Sequence, residues 1–159
     1  MRKGTIVGTL LGAAVGAVAG STVTNKKVID KNKKVKKFKN YYKMLNEWLR
    51  LKQEGKSLEE YFLKNEYKTV AIYGMGEMGN RLYDELKNTD IEVKYAIDEK
   101  AEETYADITV YEKDDELPLV DVVIVTATFA FDEIEEELCE KIDMPIVSLE
   151  EVVYTMDCD

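Results

Sequence analysis

Histidine is absent from the 159 residues. That removes the usual general base near neutral pH, the commonest imidazole metal ligand and every histidine-based triad. Cysteine occurs only at 139 and 158, too few for a disulfide framework and without a C-x-x-C spacing. Cys139 falls in a helical segment and is expected as a small core or boundary residue rather than a nucleophile. Cys158 reads as a free thiol in the tail, and both suit a reducing compartment. Acidic residues are scarce at the start: residues 1–52 carry 13 Lys and Arg against 2 acids, a net of +11. Residues 53–159 carry 9 against 30, a net of −21. The two parts therefore face different surroundings, the acidic one repelling nucleic acid and anionic lipid, the basic one attracting both.

Charge is missing altogether from Gly4 to Asn25, 22 residues bounded by Lys3 and Lys26. As a helix this segment is roughly 33 Å long, about one hydrocarbon thickness. Gly4, Gly8, Gly12, Gly16 and Gly20 recur at every fourth position. In a soluble helix each would cost about 1 kcal/mol relative to alanine. In lipid they form a smooth ridge on which another helix can pack closely, so residues 1–25 are expected as a single membrane helix that self-associates. The competing readings are a cleaved secretory signal ending near Ala17-Val18-Ala19 and a segment that does not insert. Nine lysines lie between Lys26 and Lys43, so the positive-inside rule places the C-terminal part on the cytoplasmic side of the cell membrane. These lysines would also meet anionic headgroups. A nucleic-acid-binding arm is the rival, disfavoured by the adjoining apolar run and the acidic body. This glycine-then-lysine layout, over about 35 residues, resembles the YtxH-like small bacterial membrane proteins, which implies anchoring and little more.

Residues 26–66 read as a basic juxtamembrane stretch and helical connector. Val28, Val35, Phe38, Tyr42, Leu45 and Leu49 fall on the a and d positions of one heptad register, interrupted by Lys31. They predict either a short parallel coiled coil or an amphipathic helix packed on its own domain, with Tyr41 and Trp48 broadening the inward face. Gly55 ends the segment. Ser57 and Glu60 have capping-box spacing and open a helix to about Asn65.

Residues 67–159 alternate strand and helix. Val70–Tyr73, Val93–Ile97, Asp107–Tyr111, Asp121–Thr126 and Pro145–Ser148 read as strands. The β-branched run Asp121–Thr126 should be central and buried. Helices are expected over Glu77–Lys87, with Met78, Leu82 and Leu86 inward, and over a segment presenting Phe131, Ile134, Leu138 and Ile142. Leu149–Tyr154 is expected as a closing helix. This pattern predicts an α/β fold, a minimal five-stranded parallel Rossmann-like sheet of order 3-2-1-4-5. Neither the sixth strand nor the substrate domain of a full dehydrogenase fits in the length.

The first strand runs directly into Gly74-Met75-Gly76-Glu77-Met78-Gly79, and Asp98 ends the second strand 19 residues past Gly79. A G-x-G-x-x-G between strand and helix, with an acid at that distance, is the dinucleotide fingerprint. Gly74 permits the turn, Gly76 lets backbone N–H groups approach a pyrophosphate, and Gly79 lets the helix lie close to the strand. Asp98 is placed to accept from a ribose 2′-OH, favouring NAD over NADP. Thr126, Ala127 and Thr128 follow the fourth strand, where they could line the same cleft or serve as turn and cap. The alternative is a domain of this fold whose nucleotide site is vestigial. Asn80 and Arg81 stand where a P-loop needs Lys and Ser/Thr, which excludes ATP hydrolysis of that kind.

Val-Ala-Ile-Tyr-Gly-Met-Gly-Glu-Met-Gly (70–79), Tyr-Ala-Ile-Asp (95–98) and Val-Asp-Val-Val-Ile-Val-Thr (120–126) make the body resemble NAD-binding-like Rossmann domains found beside bacterial sugar and nucleotide-sugar enzymes. Examples are the N-terminal domains of sugar O- and N-acetyltransferases and of polysaccharide-biosynthesis proteins. The resemblance implies a nucleotide or nucleotide-sugar site over the carboxyl ends of strands one, two and four.

Catalytic residues are not evident. Tyr83 and Lys87 share the Tyr-x-x-x-Lys spacing of short-chain dehydrogenases but fall on the first helix, away from any substrate. The run Asp132–Glu137 reads as a helix N-terminus with a solvated face, and Asp114-Asp115-Glu116 lacks calcium-loop spacing. The expected function is a membrane-anchored accessory or sensory module binding NAD or a related nucleotide. An NAD-dependent oxidoreductase or nucleotide-sugar-modifying component completed by a partner enzyme is the alternative, and a purely structural interaction domain the third.

Overall fold

Runs of β-branched and aromatic residues too short for a helix yet apolar on both faces belong in the middle of a parallel sheet covered on each side. The computed structural model, which describes residues 31–32, 34–104 and 106–156, forms that sheet. The chain divides into two compact units, Met1–Tyr42 and Lys43–Asp159. In the first, residues 31, 32 and 34–42 are helical. The expected membrane helix, Val28 and Cys158 lie outside the described residues, among which no helix is long and apolar enough to cross a membrane.

The second unit starts 24 residues before the expected body at Tyr67, with helix α1 at residues 43–53. Then come α2 (Glu59–Lys64), β1 (Thr69–Tyr73), α3 (Glu77–Leu86), β2 (Glu92–Ile97), β3 (Val110–Tyr111), β4 (Val122–Val125), α4 (Phe131–Cys139), β5 (Ile146–Ser148) and α5 (Leu149–Thr155). All five strands are parallel, in the order β3-β2-β1-β4-β5, the Rossmann-like arrangement that the alternating pattern predicted. Side chains alternate across it. Ala71, Tyr73, Tyr95, Ile97, Val123 and Val125 form one core with Leu138 of α4, and Phe131 and Ile134 pack against it. Ile72 points to the opposite face, towards α3, whose Met78, Leu82 and Leu86 are buried. The β1–β2 register slips between Val70 and Ala71, skipping Lys94. That bulge leaves Lys94 in solvent and Tyr95 in the core.

Several elements differ from expectation, each for a local reason. The third strand shrinks from Asp107–Tyr111 to two residues. The fourth loses Asp121, whose carboxylate instead accepts from the Lys68 and Thr69 N–H groups at 2.8 and 2.7 Å. These bonds, with one from the Thr69 hydroxyl, hold Asp121 below the usual carboxylate range. Helix α4 stops at Cys139, so Ile142 reaches the core from the following turn. Cys139 is exposed rather than a core or boundary residue, because the inward position belongs to its neighbour Leu138, about 100° away around the helix.

The inward face of α1 also differs. Met44, Trp48 and Leu51 are buried, while the heptad residues Leu45 and Leu49 are exposed, as are Val35, Phe38 and Tyr42 in the first unit. Trp48 explains the choice in α1, since a buried indole N–H requires an acceptor and finds Glu85 Oε2 at 2.6 Å. Glu85, whose side chain is only 7% exposed, collects three further partners. The Leu58 N–H donates to it at 2.9 Å, the Ser57 hydroxyl lies at 3.3 Å and Lys52 pairs at 3.1 Å. One carboxylate on α3 thus ties down α1 and the entry to α2. The capping box is present in part: the Ser57 N–H donates to Glu60, but the Ser57 Oγ accepts from Glu59 rather than Glu60. Gly55, at φ +81°, ends α1 with Lys56 N–H donating to Leu51 O and Gly55 N–H to Lys52 O, a Schellman closure.

Replacing Glu85 by Ala strands the Trp48 and Leu58 donors. The expected loss is about 2–4 kcal/mol of unfolding free energy, from about 1–3 kcal/mol for each buried group left unsatisfied. Urea titration measures it, and Glu85→Gln, which still offers an acceptor oxygen, should lose less than Glu85→Ala.

Candidate functional site

The end of β1 is shaped by glycine. Gly74 has φ +92°, a conformation side chains rarely adopt, and a Cβ there would lie 2.9 Å from Thr126 Oγ1. Its N–H donates to Ile97 O at 2.7 Å, extending the ladder by one residue. Its carbonyl accepts from the Thr126 hydroxyl at 2.6 Å. Five residues on, α3 presses onto this loop: a Cβ on Gly79 would collide with the Gly74 carbonyl and sit 3.4 Å from Ile72 Cγ2. Gly76 is the N-cap of α3, with extended ψ and no side-chain capping bond, and nothing lies within 4 Å of its Cβ position. The first-turn amides of a helix have no partner within it, so this end of α3 offers donors at an open surface. Asn80 steadies the loop by donating to the Met75 and Gly76 carbonyls at 2.9 and 3.0 Å.

Asp98 ends up beside this loop. Its Oδ2 accepts from the Met75 N–H at 2.9 Å, and its Oδ1 from the Lys100 N–H at 3.0 Å. Asp98 therefore holds one of the loop amides itself and bridges the loop to the start of the next segment.

A cleft of about 370 Å³ opens over the carboxyl ends of β1, β2 and β4. Its floor is Tyr73 and Gly74. Asp98, Glu99 and Lys100 form one wall, and Ala127, Phe129 and Ala130 the opposite one. Glu133, Ile134 and Glu137 of α4 close the third side. Of the residues that the sequence nominated, Gly74, Asp98 and Ala127 line this cleft. Gly76 and Glu77 are exposed just outside it, while Met75, Met78 and Gly79 are buried and support the loop. Thr126 is buried as a brace between β4 and the loop. Thr128 opens a short 3₁₀ turn, Thr128–Ala130, that leads into α4.

Glu99, Lys100, Phe129, Glu133 and Glu137 were not foreseen as cleft residues. Position just past β2 and β4 was the available signal for the first three. Glu133 and Glu137 lay within the acidic run read as a solvated helix face. They stand one turn apart, at i and i+4, so one side of that run borders the cleft. Carboxylates outnumber the single lysine, and Lys113 pairs with Glu137 at 2.9 Å. Burial pushes the Tyr73 phenol up, and the charges of Glu99, Glu137 and Asp98 push it further against the opposing Lys113. The cleft thus offers hydroxyl acceptors and an apolar patch of Ala127, Phe129 and Ile134, suited to a flat or polyhydroxylated ring. Tyr83 and Lys87 lie far from this chemistry, along a groove beside the start of β2, where Lys87 pairs with Asp84 at 2.7 Å.

No protein family, curated protein or solved structure matched the chain.

Two outcomes follow from this geometry. Gly79→Ala and Gly74→Ala should each cost about 1–3 kcal/mol through overpacking and strain. Gly76→Ala, with open space and φ −69°, should cost about 1 kcal/mol or less, a contrast that denaturant melts of the three variants resolve. The second concerns alkali. Burial, helped by neighbouring Tyr111, raises Tyr95 to about 12, and burial with the charge of Glu151 raises Tyr61 to about 12. A phenol held protonated in the folded state contributes stability that is fully present below its unfolded value near 10. Thermal stability should therefore fall as pH rises from about 10 to about 12, with delayed tyrosinate absorbance at 295 nm.

Proposed function

We propose that the protein is a membrane-anchored module that binds NAD or a related nucleotide at the carboxyl end of its sheet, as an accessory or sensor rather than an independent catalyst. The observation that carries this reading is the cleft's position. It lies where β1 and β4 diverge, the switch point of the 3-2-1-4-5 order, at which open α/β sheets bind ligands. The uncapped amides of α3 and the Asp98 carboxylate stand beside it, and support a pyrophosphate at the first and a ribose at the second. The anchor rests on the 22 uncharged residues and their glycine ladder, and the lysines that follow support a cytoplasmic side for the sheet.

A second reading is favoured by the cleft walls. Asp98, Glu99, Glu133 and Glu137 disfavour a second phosphate-rich group but accept well from sugar hydroxyls, while Phe129 and Ile134 suit the apolar face of a pyranose. A nucleotide-sugar, with its diphosphate at α3 and its sugar among the carboxylates, satisfies both halves of the site. In that case the module belongs with a nucleotide-sugar-modifying partner.

Thermal melts of the full chain in detergent with NAD, NADP and uridine-diphosphate sugars test both readings. A ligand at 100 times its Kd should stabilise by about 2.7 kcal/mol, with NADP the weakest of the three. Asp98→Asn should diminish the shift for every ligand, and Glu133→Gln with Glu137→Gln should diminish it for the nucleotide-sugar alone. Absence of any shift at millimolar ligand leaves the structural interaction domain as the surviving function.

A further inference from the structure

We propose that the helical segment 34–42 lies along an anionic lipid surface, with Val35, Phe38 and Tyr42 seated between headgroups and acyl chains. The membrane-anchored reading is used only to bring this segment near a bilayer. Val35, Phe38 and Tyr42 are 65%, 67% and 70% exposed. Spaced by three and four residues, they fall within about 60° of one another on a helix, a single narrow stripe. An outward helix face is ordinarily polar; this one is apolar along its length.

The stripe is bordered by cations on both sides. Lys34 lies about 40° beyond Phe38, and Lys39 about 40° beyond Val35 on the other flank. Lys31, one turn towards the N-terminus, falls on the stripe itself and ends it there, and Lys36 adds a further exposed charge. No described residue from 31 to 42 is acidic. An apolar stripe flanked by lysines on each border is the pattern of a helix in the headgroup plane: the rings and the branched side chain enter the apolar zone, and lysine stems cover its margin while their ammonium groups reach phosphates. Tyrosine and phenylalanine are suited to that depth.

Charge also argues against the other self-evident occupant. Val35, Phe38 and Tyr42 hold a, d and a positions, which makes Lys34 a g residue and Lys39 the following e residue. A parallel second copy would set Lys34 of one chain against Lys39 of the other, a repulsion in place of the usual interhelical pair. An anionic lipid surface turns the same lysines into attraction.

The test uses the full chain with Cys139→Ser and Cys158→Ser, carrying an environment-sensitive nitrobenzoxadiazole dye on Phe38→Cys or, as an off-stripe control, on Lys36→Cys. Vesicles are phosphatidylcholine alone or mixed with phosphatidylglycerol. On the mixed vesicles the dye at 38 should shift to the blue and be quenched by lipid-borne nitroxides several-fold more than on phosphatidylcholine, while the dye at 36 stays in water. Lys34→Glu with Lys39→Glu should reduce this response about tenfold. A dye at 38 that remains in water while the protein floats with the mixed vesicles overturns the inference and leaves the anchor standing. Burial at 38 that ignores lipid charge, grows with protein density and yields cross-linked pairs overturns it in favour of a second copy. Flotation only with the mixed vesicles, with 38 buried, supports the inference while removing the spanning helix. Failure to float with either composition removes both.

Discussion

The junction at the end of β1 sets the geometry of everything that surrounds the cleft. Gly74 turns the chain through a backbone conformation that a side chain would strain, its carbonyl receives the Thr126 hydroxyl, and α3 descends so closely that Gly79 has no room for a Cβ. Strands β1 and β4 and helix α3 are thereby fixed to one another around the Gly74 carbonyl. The cleft opens directly over this junction, with Tyr73, Gly74 and Ala127 among its lining. Two of the three fingerprint glycines are explained by packing alone. The third, Gly76, has no such explanation, since a larger residue would fit. It is the position where a need for bare backbone would come from outside the protein.

What the sequence revealed, and what it concealed, follows from how local each signal is. Strand alternation, the β-branched run at 122–125 and the spacing of Met78, Leu82 and Leu86 are local, and they led to the parallel sheet and its order. Strand ends were less visible, because Asp121 is drawn away by the Lys68 and Thr69 amides. The face that α1 turns inward was concealed by its own heptad: the apolar residues with the most regular spacing are exposed, and the less regular set around Trp48 is buried because Glu85 waits for its indole. The cleft itself was half legible. Gly74, Asp98 and Ala127 follow rules of position after a strand. Glu99, Lys100, Phe129, Glu133 and Glu137 come from separate crossover segments that meet only once the sheet is wound, and no spacing along the chain records that meeting. Asp98 was found by its distance from the glycines, but its bond to the Met75 amide depends on the pitch of the loop.

The uneven charge of the chain has two structural expressions. In the helical stretch 34–42 the cations border an apolar stripe. In the sheet unit many carboxylates are structural: Glu85 gathers donors from two helices, Asp121 caps the start of β1, and Asp98 closes the glycine loop. Others border the cleft, Glu133 on its rim and Glu137 paired with Lys113. Acidity in this unit is thus partly a means of terminating backbone donors in a chain without histidine.

The rims of the sheet are both abbreviated, two residues in β3 and three in β5. Beyond β3 the chain runs at once into Glu112, Lys113, Asp114, Asp115 and Glu116, a crowd of charges where an incoming strand would have to align. Unpaired amides are what recruit foreign strands and seed aggregates. Edges this short offer few of them, so the sheets resist fusing edge to edge when the protein is crowded at high local density.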